Sequence, residues 1–205
     1  MTKLIPSKAL GLALVLGGVL SAQCAGTVSP DQIKAQPTKS SIPALQGTTP
    51  PDWQAERWLN STPLHLADLR GKVVLVRWWT AHCRYCRDTA PALRELHQRY
   101  RSQGLVVVGM YHHKEDGPFD PTVYEQTAKQ YRFKFPLAFD DEWRTFHSWM
   151  RDRQGNRVDT GWTSVTFVLD KKGVVRHVHR GGSYFKGDAD YLALTTVLEQ
   201  LLAER

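Results

Sequence analysis

The chain has 205 residues, 41% hydrophobic and 23% charged, with 15 Gly, 11 Pro and 3 Cys. That composition fits one globular domain and excludes collagen-like, low-complexity and disulfide-scaffold architectures. The formal charge is +7, or +5 without Lys3 and Lys8 of the leader. No Lys/Arg block or zinc-finger spacing accompanies it, so no nucleic acid partner is expected.

In chain order, residues 1–26 read as an export signal. Lys3 and Lys8 precede the apolar run Ala9–Leu20, and the small residues Ser21, Ala22, Ala25 and Gly26 follow it. At 1.5 Å per residue that run is too short to cross roughly 30 Å of hydrocarbon, which favours cleavage over anchoring. Cys24 also admits a lipoprotein signal, with a lipid anchor at that residue, although Gln23 sits where a small residue is usual. Either route predicts the periplasm or cell envelope. Residues 27–51 are polar and Pro-rich without periodicity, and predict a flexible linker. Residues 52–205 predict the folded domain.

Within that domain, short strands are predicted at Arg57–Leu59 and Leu64–Leu66, around the turn signal Asn60-Ser61-Thr62-Pro63. The run VVLV within Lys72–Trp79 has the pattern of a strand buried on both faces. A helix kinked at Pro91 is predicted from Cys83 to Gln103, ended by Gly104, and LVVVGMY follows as a second buried strand. Asp120-Pro121 caps and opens a helix to Tyr131. A strand at Phe135–Phe139, a helix at Glu142–Met150 and a polar loop at Arg151–Asp159 come next. Ser164–Leu169 and Val174–His179 form a hairpin, and a last helix runs from Asp188 to Glu204. Alternating strands and helices predict a layered α/β or α+β domain.

Cys83-Arg84-Tyr85-Cys86 follows a buried strand and opens a helix. Three-residue spacing on a first helical turn lets two sulfurs come within disulfide reach. Cys83 sits where unpaired N–H groups and the positive dipole end stabilise a thiolate, the nucleophilic form. Arg84 and a protonated His82 add positive charge, which favours the reduced form and predicts an oxidising couple. A structural disulfide would constrain little chain in so short a loop, and a zinc site lacks a second Cys pair. Redox chemistry is the favoured reading of the three.

The stretch RGKVVLVRWWTAHCRYCRDTAPAL resembles the thioredoxin fold, and within it the TlpA/ResA-type exported thiol–disulfide oxidoreductases. The resemblance rests on Gly71-Lys72, Trp79, the CxxC, Pro91 and the later Thr166-Phe167-Val168-Leu169-Asp170-Lys171-Lys172-Gly173. It implies a central mixed sheet flanked by helices, with an N-terminal strand extension. It also implies a Cys83–Cys86 redox-active disulfide with no other cofactor and no metal, Cys83 attacking and Cys86 resolving. Its partners would be a protein thiol or disulfide substrate and an upstream membrane or periplasmic thiol donor.

Three positions depart from that pattern. Ser164 stands where the family places a cis-proline, and a trans bond is expected there because cis costs about 2.5–4 kcal/mol before a non-proline residue. Arg77 stands where thioredoxin keeps a buried acid, and Thr89 where many relatives carry a Glu. Both usual acceptors for the Cys86 proton are therefore absent. His82 replaces the common Trp. Trp79 and Trp162 are expected to wall the site. His112-His113 end a strand at its carboxyl edge and read as solvated loop residues, and His177 and His179 as a solvent-facing pair. Two other functions compete. A peroxiredoxin-like peroxidase shares Thr80-Ala81-His82-Cys83 but has Val76 in place of its proline. A Sco-like copper protein would need one more residue between the cysteines and a His where Trp162 stands.

Overall fold

The computed structural model describes residues 42–204. The predicted signal 1–26, Cys24 included, and residues 27–41 of the predicted linker lie outside the described residues. The rest of that linker is not a tether. Pro43–Leu45 forms a 3-10 turn, Leu45 is fully buried, and Gly47 N–H donates to the Val175 carbonyl at 2.7 Å. An apolar Leu with a sheet edge to pair against packs whatever the composition around it, so the packed domain includes residues before 52.

Ten regular elements follow. They are β1 (Trp58–Leu59), β2 (Val73–Trp79), α1 (Arg84–Tyr100), β3 (Leu105–Tyr111), α2 (Pro121–Gln130), β4 (Leu137–Phe139), α3 (Arg144–Trp149), β5 (Thr166–Leu169), β6 (Val175–His179) and α4 (Ala189–Ala203). The strands form one mixed sheet in the order β1-β4-β3-β2-β5-β6. β2, β3 and β4 run parallel, while β1, β5 and β6 pair antiparallel. The predicted strand Leu64–Leu66 is absent. Asp68 accepts the His65 N–H at 3.2 Å and turns Leu66–Leu69 into a 3-10 helix. Pro91 lies inside α1, as the sequence predicts, and the chain tightens to a 3-10 turn over Arg101–Gln103 before Gly104 at φ 104°.

Every residue of β2 is buried, so its side chains alternate between two cores. Val73, Leu75 and Trp79 pack with Cys86, Ala90 and Leu93 of α1, with Tyr124 of α2 and with Leu194 and Leu198 of α4. Val74, Val76 and Trp78 pack on the opposite face with Trp53, Trp149, Phe146 and Phe167. The parallel strands carry their carboxyl ends, and the start of α1, to one edge of the sheet. Open α/β sheets place their sites there.

Candidate active site

β2 ends at Trp79, and Thr80 to His82 carry the chain into α1. Thr80 Oγ1 and the Tyr111 hydroxyl donate to Glu115, at 3.1 and 3.2 Å, and the Lys114 N–H donates to the same carboxylate at 3.0 Å. Burial pushes the Glu115 carboxyl up, but these bonds outweigh it and hold it below the usual carboxylate range. The junction is thus pinned to the loop after β3. His82 turns the chain at φ 53° and leaves Cys83 as the N-cap of α1.

Cys83 and Cys86 are joined by a disulfide, with Cα atoms 5.2 Å apart. The Cys83 sulfur also accepts the Cys86 main-chain N–H at 3.1 Å, so a helix-terminal N–H points at the sulfur where a thiolate would form. Cys83 is partly exposed, whereas Cys86 is 2% exposed. An incoming sulfur can reach the first and is shielded from the second. Arg84 and Arg87 share the Asp88 carboxylate, at 3.6 and 3.4 Å, leaving a net positive rim. A pocket of about 310 Å³ opens beside Cys83, lined by His82, Arg84, Arg87, Thr127, Gln130 and Tyr131.

The sequence-predicted residues separate into a surface group and a buried one. Tyr85, 42% exposed, meets Trp162, 37% exposed, edge-on with ring centroids 5.0 Å apart. That contact brings the loop before β5 against the CxxC. Gly181 keeps it there, because a Cβ at that residue would stand 2.3 Å from the Trp162 Cβ. Trp79 does not wall the site. It is 1% exposed and enclosed by Tyr111, Tyr124, Tyr131 and Phe133. It supports the site from below through Tyr131, whose hydroxyl donates to the Cys83 carbonyl at 3.5 Å.

Ser164 is buried, its preceding peptide bond is trans, and its Oγ accepts the Gly182 N–H at 3.2 Å. Thr89 Oγ accepts the Tyr184 N–H at 3.3 Å instead of offering a carboxylate. Arg77 is 1% exposed. It donates to Thr166 Oγ1 at 3.1 Å and to the Gly182 carbonyl at 2.7 Å, and its guanidinium lies 5.4 Å from the Tyr184 ring.

The histidines differ from expectation. His112 is fully buried, with Nε2 3.1 Å from Thr163 Oγ1 and its ring 4.5 Å from Trp143. His177 and His179 are buried too, because α4 covers that face of β6, and His179 Nε2 lies 3.4 Å from Asp190. Edge position in a sheet does not expose a strand's face when a helix lies across it. Among the described residues no group of three or more His, Cys, Asp or Glu is placed to hold a metal. Tyr131 and Tyr184 had no local signal, since only the tertiary fold brings them to the site.

A family model of the AhpC/TSA family matches residues 47–178. The chain belongs to that family. The chain is similar to Protein DipZ of Mycobacterium tuberculosis, 30% identical over 195 residues and 92% of this chain. It spans only 25% of DipZ's own length. It is 26% identical to the thiol–disulfide oxidoreductase YkuV of Bacillus subtilis, over 63% of this chain and 80% of that one. Among solved structures, a thioredoxin-like superfamily protein is 26% identical with a TM-score of 0.60, covering 77% of this chain and 97% of its own. This AhpC/TSA member therefore has the thioredoxin-like fold, a mixed six-stranded sheet flanked by helices.

Proposed function

We propose that this chain is an exported thiol–disulfide oxidoreductase acting on protein thiols or disulfides, with Cys83 attacking and Cys86 resolving. The observation that carries the reading is the asymmetry of the pair: a reachable sulfur at a helix N-cap, bonded to a buried one. The sulfur at the helix start is the better thiolate, and the shielded one reacts only within the chain. Arg84 supplies positive charge beside Cys83 and His82 turns the chain into its helix, while Tyr85 and Trp162 offer an apolar edge to a partner chain. Trp79 supports the site from beneath. Export is read from the leader, and a lipid at Cys24 would hold the domain at the envelope. Where Cys83 attacks a substrate disulfide, an upstream membrane or periplasmic thiol donor would reduce the pair again, and where the oxidised pair takes electrons from a dithiol, a disulfide acceptor would reoxidise it.

The disulfide is the only cofactor this chemistry needs. Incubated with a dithiol protein, the oxidised chain is expected to transfer one disulfide per chain and to consume no hydrogen peroxide. Peroxide consumption coupled to loss of the Cys83 thiol would overturn the reading in favour of a peroxidase. Copper retained by the reduced, anaerobically purified protein would favour an assembly role, since paired thiolates bind soft metals.

Ser164 lies in the loop that Trp162 brings against the CxxC, and we assign it the positioning of that loop from beneath, through its bond to the Gly182 N–H. Ser164→Pro is expected to raise the reduction of insulin, a generic substrate, severalfold. An unchanged rate would mean that Ser164 is a neutral replacement.

A further inference from the structure

The buried guanidinium of Arg77 has a full charge and no carboxylate partner among the described residues. Its two hydrogen-bond acceptors, Thr166 Oγ1 and the Gly182 carbonyl, are neutral, and Nε has no acceptor among the described residues. Burial lowers its pKa to about 10, with Tyr184 pulling it back up, so it remains a cation at neutral pH. A buried charge left uncompensated is costly, and such a group invites an anion.

The fold indicates where the anion arises. Arg77 lies between Leu75 and Trp79 on the β2 face that packs with Cys86. Tyr184 bridges the two. Its ring lies under the guanidinium, and its main-chain N–H reaches Thr89, three residues beyond Cys86 on α1. The register Arg77–Thr166–His179 across β2, β5 and β6 completes the row beneath the site, with Asp190 engaged by His179.

We propose that Arg77 is the counter-charge for a Cys86 thiolate, and that it sets this chain to accept electrons from partner dithiols. The inference rests on the exchange function proposed above. A partner thiolate attacks the Cys83 sulfur, the Cys83–Cys86 bond breaks, and Cys86 leaves as a thiolate in the core layer on the Arg77 face of the sheet. The partner's second thiolate then attacks its own sulfur in the mixed disulfide and releases Cys83. The partner gains an S–S bond, the chain gains two electrons, and the partner's thiol protons go to solvent. A stabilised leaving thiolate speeds the first step and favours the reduced chain.

The test is the equilibrium of the Cys83–Cys86 pair in thiol redox buffers, for the wild type, Arg77→Lys and Arg77→Met. Lysine should keep the wild-type value. Methionine, similar in bulk but neutral, should make the pair about tenfold harder to reduce, or about 30 mV more negative. An exchanging pair unmoved by Arg77→Met overturns this inference alone, whereas a pair that never exchanges overturns the function as well. Should the Arg77 variants not fold, the Cys86 thiol of a Cys83→Ser chain is titrated by thiolate absorbance. Half-ionisation below the free thiol's value of about 8.5 supports the counter-charge, and one above it overturns it.

Discussion

A Cys86→Ser chain, expressed with its natural partners, accumulates covalent adducts that dissolve on reduction, and a Cys83→Ser chain accumulates none. Overall exchange falls to background in both. The difference follows from exposure and position. With Cys86 gone, the mixed disulfide formed at Cys83 has no internal thiol to resolve it, so the intermediate persists. With Cys83 gone, the remaining sulfur is buried beneath the first turn of α1, and a partner cannot reach it. Mass spectrometry of the trapped species after non-reducing electrophoresis reads both results. Equal trapping by the Cys83→Ser chain would reverse the assignment of roles.

Acid destabilises the folded chain through two buried histidines. Burial lowers the His112 pKa to about 3, with Lys114 and Arg77 adding to it. Burial lowers the His177 pKa to about 4, against an opposing pull from Asp190. In the unfolded chain both titrate near 6.5. Between pH 6.5 and those lower values the unfolded state takes up protons that the folded state refuses. Stability is therefore full above about pH 6.5 and falls as the pH drops toward 4, by about 3 kcal/mol from each residue. Urea unfolding midpoints at pH 7 and pH 4.5 measure the loss. His177→Leu should remove about half of the part due to the two histidines, and an identical pH dependence in that variant would contradict the assignment.

The parts of the fold that depend on neighbours in sequence were legible in advance. A continuous apolar run gave β2, Asp120-Pro121 gave the start of α2, and the Asp170–Gly173 turn gave the β5–β6 hairpin. The CxxC at the start of α1 was legible for the same reason, since its chemistry depends on helix position and on spacing of three. Features that depend on distant packing were not. Leu45 closes against the edge of the sheet from within a segment whose composition reads as linker. His177 and His179 alternate as an exposed pair would, yet α4 covers them. Trp79 has the pattern of a site wall, but four aromatic rings enclose it. Arg77 was visible as a departure from an expected acid, and only the fold gave it Thr166, Gly182 and Tyr184 as neighbours.

The central claim is that Cys83 and Cys86 form a working redox couple, and the reduction potential of that couple tests it most directly. Equilibration with graded glutathione or dithiothreitol buffers, read by alkylation and mass shift, gives the value. The helix N-cap, Arg84 and Arg77 together predict a single reversible two-electron transition more oxidising than about −270 mV, the value of thioredoxin. A pair that stays oxidised below about −300 mV behaves as a structural disulfide, and that result would contradict the account.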